Sequence, residues 1–118
     1  MPDYFDIHSH LNFPEDFPDV ADVIDHMRAQ RVWTIGVGTN ITSSRVASDQ
    51  TALYEGLFAC VGLHPGEETG EEFLEENYEY LMQNPKVVAI GECGLDYARL
   101  PKDVSAQIAE KDRQKKLF

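Results

Sequence analysis

Four short apolar runs of β type recur along the chain, each followed by a stretch with helical spacing. This alternation limits the possible folds more than any other feature. The runs are Tyr4–Ile7, Val32–Val37, Leu57–Leu63 and Val87–Gly91. Two of them, Val32-Trp33-Thr34-Ile35-Gly36-Val37 and Val87-Val88-Ala89-Ile90, are almost continuously apolar or β-branched. That pattern predicts strands buried on both faces, as in a parallel sheet. A helix is expected over Asp19 to Gln30, with Val20, Val23, Ile24 and Met27 on one face. A second is expected over Thr42 to Tyr54, with Thr42 and Ser43 as capping candidates, and carries Val46 and Leu53. The third spans Gly70 to Gln83, places Phe73, Leu74, Tyr78, Leu81 and Met82 at helical spacing, and is closed by Asn84-Pro85. Its acidic residues Glu71, Glu72, Glu75, Glu76 and Glu79 read as a solvated face. The fourth, about Asp103 to Phe118, carries Val104, Ile108 and Leu117.

The order βαβαβαβα predicts an α/β fold with parallel strands and right-handed crossovers. Two architectures satisfy it, a doubly wound open sheet and a stretch of a β/α barrel. In both, functional groups gather at the C-terminal ends of the strands. Here those ends are rich in ligand-type residues. His8-Ser9-His10 closes the first run, Gly38-Thr39-Asn40 the second, His64-Pro65 the third, and Glu92 with Cys93-Gly94-Leu95-Asp96-Tyr97 the fourth. Strand alternation points His8 and His10 to one side, and two imidazoles with a carboxylate suit zinc, manganese or a similar divalent cation. His8, His10 and Glu92 are therefore the expected metal ligands. Glu92 follows Ala89-Ile90-Gly91, where a carboxylate would be costly unless paired or metal-bound. His64 is expected in the site. Asp96 is expected to bond loop amides, Asp6 to make a supporting hydrogen bond, and His26 to lie on a helix surface. Gly36-Val37-Gly38 lacks the remaining glycine of a dinucleotide loop, so no such site is expected.

Composition narrows the setting. The chain has 118 residues, enough for one small domain, and a formal net charge of −11. That charge excludes a broad basic footprint on duplex DNA. It leaves room for a nucleic-acid substrate held through bound cations. No apolar stretch is long enough to span a membrane, and Met1-Pro2-Asp3-Tyr4 does not resemble a signal peptide. Cys60 and Cys93 each lie in an apolar run and read as small buried side chains in a reducing, cytoplasmic setting.

Three motifs together resemble the TatD family of metal-dependent hydrolases, within the amidohydrolase-like barrels. They are Phe5-Asp6-Ile7-His8-Ser9-His10-Leu11-Asn12, Val61-Gly62-Leu63-His64-Pro65, and Pro85-Lys86-Val87-Val88-Ala89-Ile90-Gly91-Glu92-Cys93-Gly94-Leu95-Asp96-Tyr97. Ile7, Asn12 and Gly66 depart from the family's commoner residues, and Asn12 and Gly66 fall where contacts with substrate are expected. The resemblance implies a TIM-barrel-like fold with two divalent ions (Mg, Mn or Zn), His8 and His10 on one and Glu92 bridging both. It implies a deoxyribonuclease acting on single-stranded DNA or DNA ends, with Glu92 and His64 as catalytic residues. Another metal-dependent hydrolase, such as an aminoacyl-tRNA deacylase or phosphoesterase, and a non-catalytic half-barrel binding module are the alternatives.

By the same resemblance, two further histidines and an aspartate would come from the fifth to seventh strands of a barrel of ~250 residues. Residues 1–118 are thus expected to be a single incomplete domain, the N-terminal half of a barrel with four βα units and parallel strands, inactive or nearly so alone. Its open edges would suit a second copy or a complementary C-terminal half.

Overall fold

The computed structural model describes residues 1–67 and 70–118. Among the described residues four strands and four helices alternate: β1 (Tyr4–Ser9), α1 (Val20–Ala29), β2 (Val32–Val37), α2 (Ile41–Gln50), β3 (Leu57–Val61), α3 (Glu75–Met82), β4 (Val87–Ile90) and α4 (Val104–Leu117). The strands form one parallel sheet in the order β1-β2-β3-β4. That order decides between the two architectures. A doubly wound sheet reverses direction at a switch point, whereas here each crossover steps to the next position. This is the winding of a TIM-barrel-like α/β fold. Among the described residues no helix is long and apolar enough to cross a membrane.

Helix packing makes two cores on one face of the sheet. Leu11, Ile24, Tyr54 and Leu57 form the first, flanked by Val20, Val23 and Met27 of α1. Val61, Leu63, Tyr78 and Leu81 form the second, with Ile41, Val87 and Leu117 against it. The other face carries Phe5, Ile35 and Phe58, none fully buried, with Phe5 stacked on Phe58 at 5.8 Å between centroids. The expectation of burial on both faces, made for β2 and β4, therefore holds for much of β2 but not for β4, where Val88 is 50% and Ile90 61% exposed. β1 and β4 are the two edges of the sheet, and no helix layer covers its second face among the described residues. Apolar periodicity does not encode a strand's position in the sheet.

Helix boundaries shift where side-chain hydrogen bonds compete. α2 is capped by Asn40, not by Thr42 or Ser43. Asn40 Oδ1 accepts from Ser43 N–H at 2.9 Å, and Ser43 Oγ accepts from Asn40 N–H at 3.1 Å, a reciprocal capping box. The helix stops at Gln50, which leaves Leu53 half exposed beyond it. α3 begins at Glu75 rather than Gly70, so Phe73 and Leu74 lie before it and are exposed, as is Met82. Glu71 is also not merely solvated. It accepts from Ile41 N–H at 3.0 Å and from Tyr78 O–H at 2.7 Å, placing a carboxylate at the N-terminus of α2, where the helix dipole favours it. Burial and then the bond to Glu71 push the Tyr78 hydroxyl pKa upward. Asn12, expected near substrate, is 1% exposed and donates to Val37 O at 3.1 Å and Ser43 O at 3.0 Å. It ties β1 to β2 and α2.

Candidate metal centre

The histidine pair owes its placement to a β-bulge. Asp6 pairs with Thr34 and Ser9 with Gly36, so three steps on β1 match two on β2. Thr34 and Gly36 share a face by alternation, and Ser9 accordingly accepts from Thr34 Oγ1 at 2.9 Å. His8 and His10 flank Ser9 and therefore face the side away from the helices. Asp6 Oδ1 accepts from His8 N–H at 3.0 Å and holds this kink. Bulges commonly re-aim a side chain at a functional rim.

Glu92 and His64 reach the same rim from the neighbouring strands. His64 N–H bonds Thr39 O at 2.8 Å, and Glu92 N–H bonds Gly38 O at 3.3 Å, which stitches the loops after β2, β3 and β4 together. Gly62 permits this closeness. A Cβ there would lie 2.5 Å from Gly91 O and 2.6 Å from Gly91 C.

The side chains converge. His8 Nε2 lies 3.2 Å from His10 Nε2 and 2.8 Å from Glu92 Oε1, and His64 Nε2 is 3.7 Å from Glu92 Oε2. One donor atom from each of His8, His10 and Glu92 falls within 4.8 Å of the others. A tetrahedral cation with ligand bonds of ~2.0–2.1 Å needs ligands roughly 3.3 Å apart, so the imidazole nitrogens have the right spacing.

Ring orientation separates the histidines by chemistry. His10 Nδ1 lies 3.1 Å from Val37 O. A carbonyl only accepts, so Nδ1 carries the proton and the neutral ring presents a bare lone pair at Nε2. His8 Nε2, that lone pair and the Glu92 carboxylate thus face one another across a few ångströms. Such a donor set fits a divalent ion. His64 is reversed: its Nδ1 accepts from Gly66 N–H at 3.0 Å, so the neutral ring presents N–H at Nε2 toward Glu92. Gly66 is therefore part of the turn that fixes His64.

Other expected residues settle at the margins. Asp96 Oδ1 accepts from Ala98 N–H at 2.9 Å, which is the loop-amide role. The buried Gln114 grips the Asp96 backbone from both sides, donating to Asp96 O and accepting from Asp96 N–H, each at 2.8 Å. His26 is exposed on α1 with Nδ1 2.8 Å from Asp22 O. Both cysteines are free; Cys60 is buried, but Cys93 is exposed because it follows the last residue of an edge strand by three positions. Burial, with smaller contributions from Cys93 and Glu92, raises the Cys60 thiol pKa to about 11.

Sequence reasoning missed several rim residues. Glu67 accepts from Thr39 Oγ1 at 3.0 Å and Asn40 Nδ2 at 3.2 Å. Phe13 stands edge-on to His10, with centroids 5.2 Å apart. Arg99 and Asp16 share their cleft. None sits in a spaced motif; only Asn40, ahead of a helix, carried a local signal as a cap.

α4 braces the His64 loop. Arg113 donates to Pro65 O and makes a two-pronged bond to Glu110, Nε to Oε2 at 2.8 Å and Nη2 to Oε1 at 2.7 Å. The Arg113 bond is the main reason the Glu110 carboxyl falls from 4.5 to about 2, helped by Gln114. The ionised form is favoured in the folded chain, so this stabilisation is present above about pH 4.5 and lost as pH falls toward 2. Glu110→Gln is expected to flatten melting temperature against pH across that window, measured by circular dichroism. An acid limb as steep as the unaltered chain's would contradict the assignment.

The family model described as TatD related DNase matches residues 5–118, nearly the whole chain. The chain belongs to the TatD family. The "Uncharacterized metal-dependent hydrolase YabD" of Bacillus subtilis is 33% identical over 88% of this chain and 42% of its own length. The "3'-5' ssDNA/RNA exonuclease TatD" of Klebsiella pneumoniae is 36% identical over 80% of this chain and 37% of its own length. YjjV of Escherichia coli, likewise named an uncharacterized metal-dependent hydrolase, is 35% identical over 79% of this chain and 38% of its own length. The chain thus spans about two fifths of the length of these curated relatives.

Proposed function

We propose that this TatD-family chain contributes part of the active site of a divalent-metal-dependent nuclease that hydrolyses phosphodiester bonds in single-stranded nucleic acid. The observation that carries this reading is the convergence of His8, His10 and Glu92 on one point, with His64 beside them. The name of the Klebsiella pneumoniae relative supports a single-stranded substrate. His8 and His10 would hold one ion, and Glu92 would be shared between it and a second. Mg, Mn and Zn are all compatible with this donor set. When bound, the ions supply Lewis-acid polarisation of a phosphate oxygen and activation of water. The His64 Nε2–H donates to a phosphate oxygen, and its Nδ1 is fixed by Gly66. Val37 O holds His10 in the ligating tautomer, the kind of support that keeps ligand geometry.

Residues 1–118 then form four of the eight strand–helix units of a barrel. Three clustered ligands leave the coordination incomplete, so the chain by itself binds metal but turns over little. The free thiols fit a cytoplasmic setting.

Calorimetric titration of the metal-stripped chain with Mn²⁺ and Zn²⁺ tests this. Saturable, chelator-reversible binding that requires His8 and His10 is expected, with little cleavage of a labelled single strand. No binding at millimolar metal would overturn the metal centre. Robust chelator-sensitive cleavage by these 118 residues would overturn the incomplete site.

A further inference from the structure

A cleft of about 490 Å³ opens beside the cluster, lined by His10, His64 and Glu92 together with Phe13 and Arg99. We propose that this cleft is a nucleotide subsite, in which Arg99 binds the phosphate next to the scissile one and Phe13 stacks the adjoining base. The inference rests on the nuclease reading and adds what holds the strand.

Charge singles out Arg99. The chain carries a formal net charge of −11, so a polyanion meets repulsion over most of the surface. Among the described residues, Arg99 is the one Arg or Lys lining this cleft. It is exposed, and among the described residues no ion pair or hydrogen bond engages it. By contrast, Arg28, Arg31 and Arg113 are each paired with a carboxylate. A free guanidinium offers a planar fork matched to phosphate oxygens. Three carboxylates line the cleft, Asp16, Glu67 and the metal-ligand candidate Glu92, and oppose an anion. Glu67 is held by Thr39 and Asn40, and divalent ions on the neighbouring cluster reverse the local sign. Strand binding should therefore need metal.

Phe13 supplies the second element. Its backbone N–H bonds His10 O at 3.1 Å, and its ring stands edge-on to the His10 ring. That anchoring fixes an aromatic ring against a metal-ligand candidate. Stacking on an aromatic face accepts any base, provided the base is unpaired. The cleft is also of ordinary volume for a small ligand.

The test is fluorescence anisotropy of a short labelled oligo(dT) with the full 118-residue chain and saturating Mn²⁺. Calorimetry of Mn²⁺ alone runs in parallel. Arg99→Ala should weaken the oligonucleotide about tenfold at low salt and lower the slope of log affinity against log salt by ~0.7. Arg99→Lys should restore the slope but only part of the affinity, since it keeps the charge and loses the fork. Phe13→Leu should weaken binding roughly tenfold with the slope unchanged. Mn²⁺ affinity should be the same in the two Arg99 variants, and a blunt duplex should bind more weakly than the single strand. Oligonucleotide binding that is indifferent to Arg99 and Phe13 would overturn the subsite. Mn²⁺ binding with no oligonucleotide retained would overturn it too, leaving the metal centre standing. Loss of both Mn²⁺ and oligonucleotide binding by the unaltered chain would overturn both readings.

Discussion

Glu92→Gln is expected to weaken Mn²⁺ binding at least ~100-fold while leaving the fold intact. Even partners that only orient a ligand commonly cost 10–100-fold when removed, so roughly the upper end is a floor for the carboxylate itself. The change keeps the side chain's size and removes its charge and most of its ligand strength. Its cost to folding should be small, because Glu92 is 28% exposed and its side chain bonds chiefly to the half-exposed His8. Calorimetry gives the affinity and circular dichroism the fold. His26→Ala, on the surface of α1 and outside the cluster, serves as the control and should bind as the unaltered chain does. A Glu92→Gln affinity within threefold of the unaltered chain would remove Glu92 from the centre.

Gly62→Ala is expected to damage both stability and metal binding, through one methyl group. The added carbon would lie 2.5 Å from a backbone oxygen and 2.6 Å from a backbone carbon of Gly91. A flexible side chain could swing away, but main chain in the adjoining segment cannot do so cheaply. Forced overpacking costs roughly 3 kcal/mol at its usual upper range, a large fraction of the ~5–15 kcal/mol that holds a typical domain together. The strain relaxes by moving Gly91, and Glu92 must move with it. Urea denaturation should show the loss, and Mn²⁺ titration of the remaining folded protein should show weaker binding. Unchanged stability would mean that the ends of β3 and β4 are farther apart than the structure places them.

Much of this architecture was legible in the order of residues, and the reasons are physical. Val32–Val37 and Leu57–Val61 could be read as strands from their apolar runs, and both are interior strands whose residues are all buried or partly buried. His8, His10, His64 and Glu92 could be picked out because each sits at or just after a strand end, and parallel winding delivers those ends to one rim. The errors arose where long-range bonds decide local form. Nothing near Gly70 announces that Glu71 will reach Ile41 across 30 positions, or that α3 will start at Glu75. Nothing in Leu11-Asn12 shows that the Asn12 amide is spent on Val37 and Ser43. The exposure of Val88 and Ile90 depends on what lies beside β4, which a strand's own composition does not record. The same holds for Arg99 and Phe13, brought to one cleft from opposite ends of the sequence.

The extra residue in β1 has a bearing on how this N-terminus can vary. Side chains on a strand alternate, and Thr34 and Gly36 share a face, so removing a single residue between Asp6 and Ser9 would straighten the strand while both flanks kept their present sides. Removing both Ile7 and His8 would leave one step on β1 against two on β2, and either Asp6 would turn or the chain from Ser9 onward would. Single deletions preserve the facing of both flanks and paired ones do not. Gaps of even length in this short stretch should be far rarer in functional variants than odd ones, whereas the segment ahead of Tyr4 is free of that arithmetic.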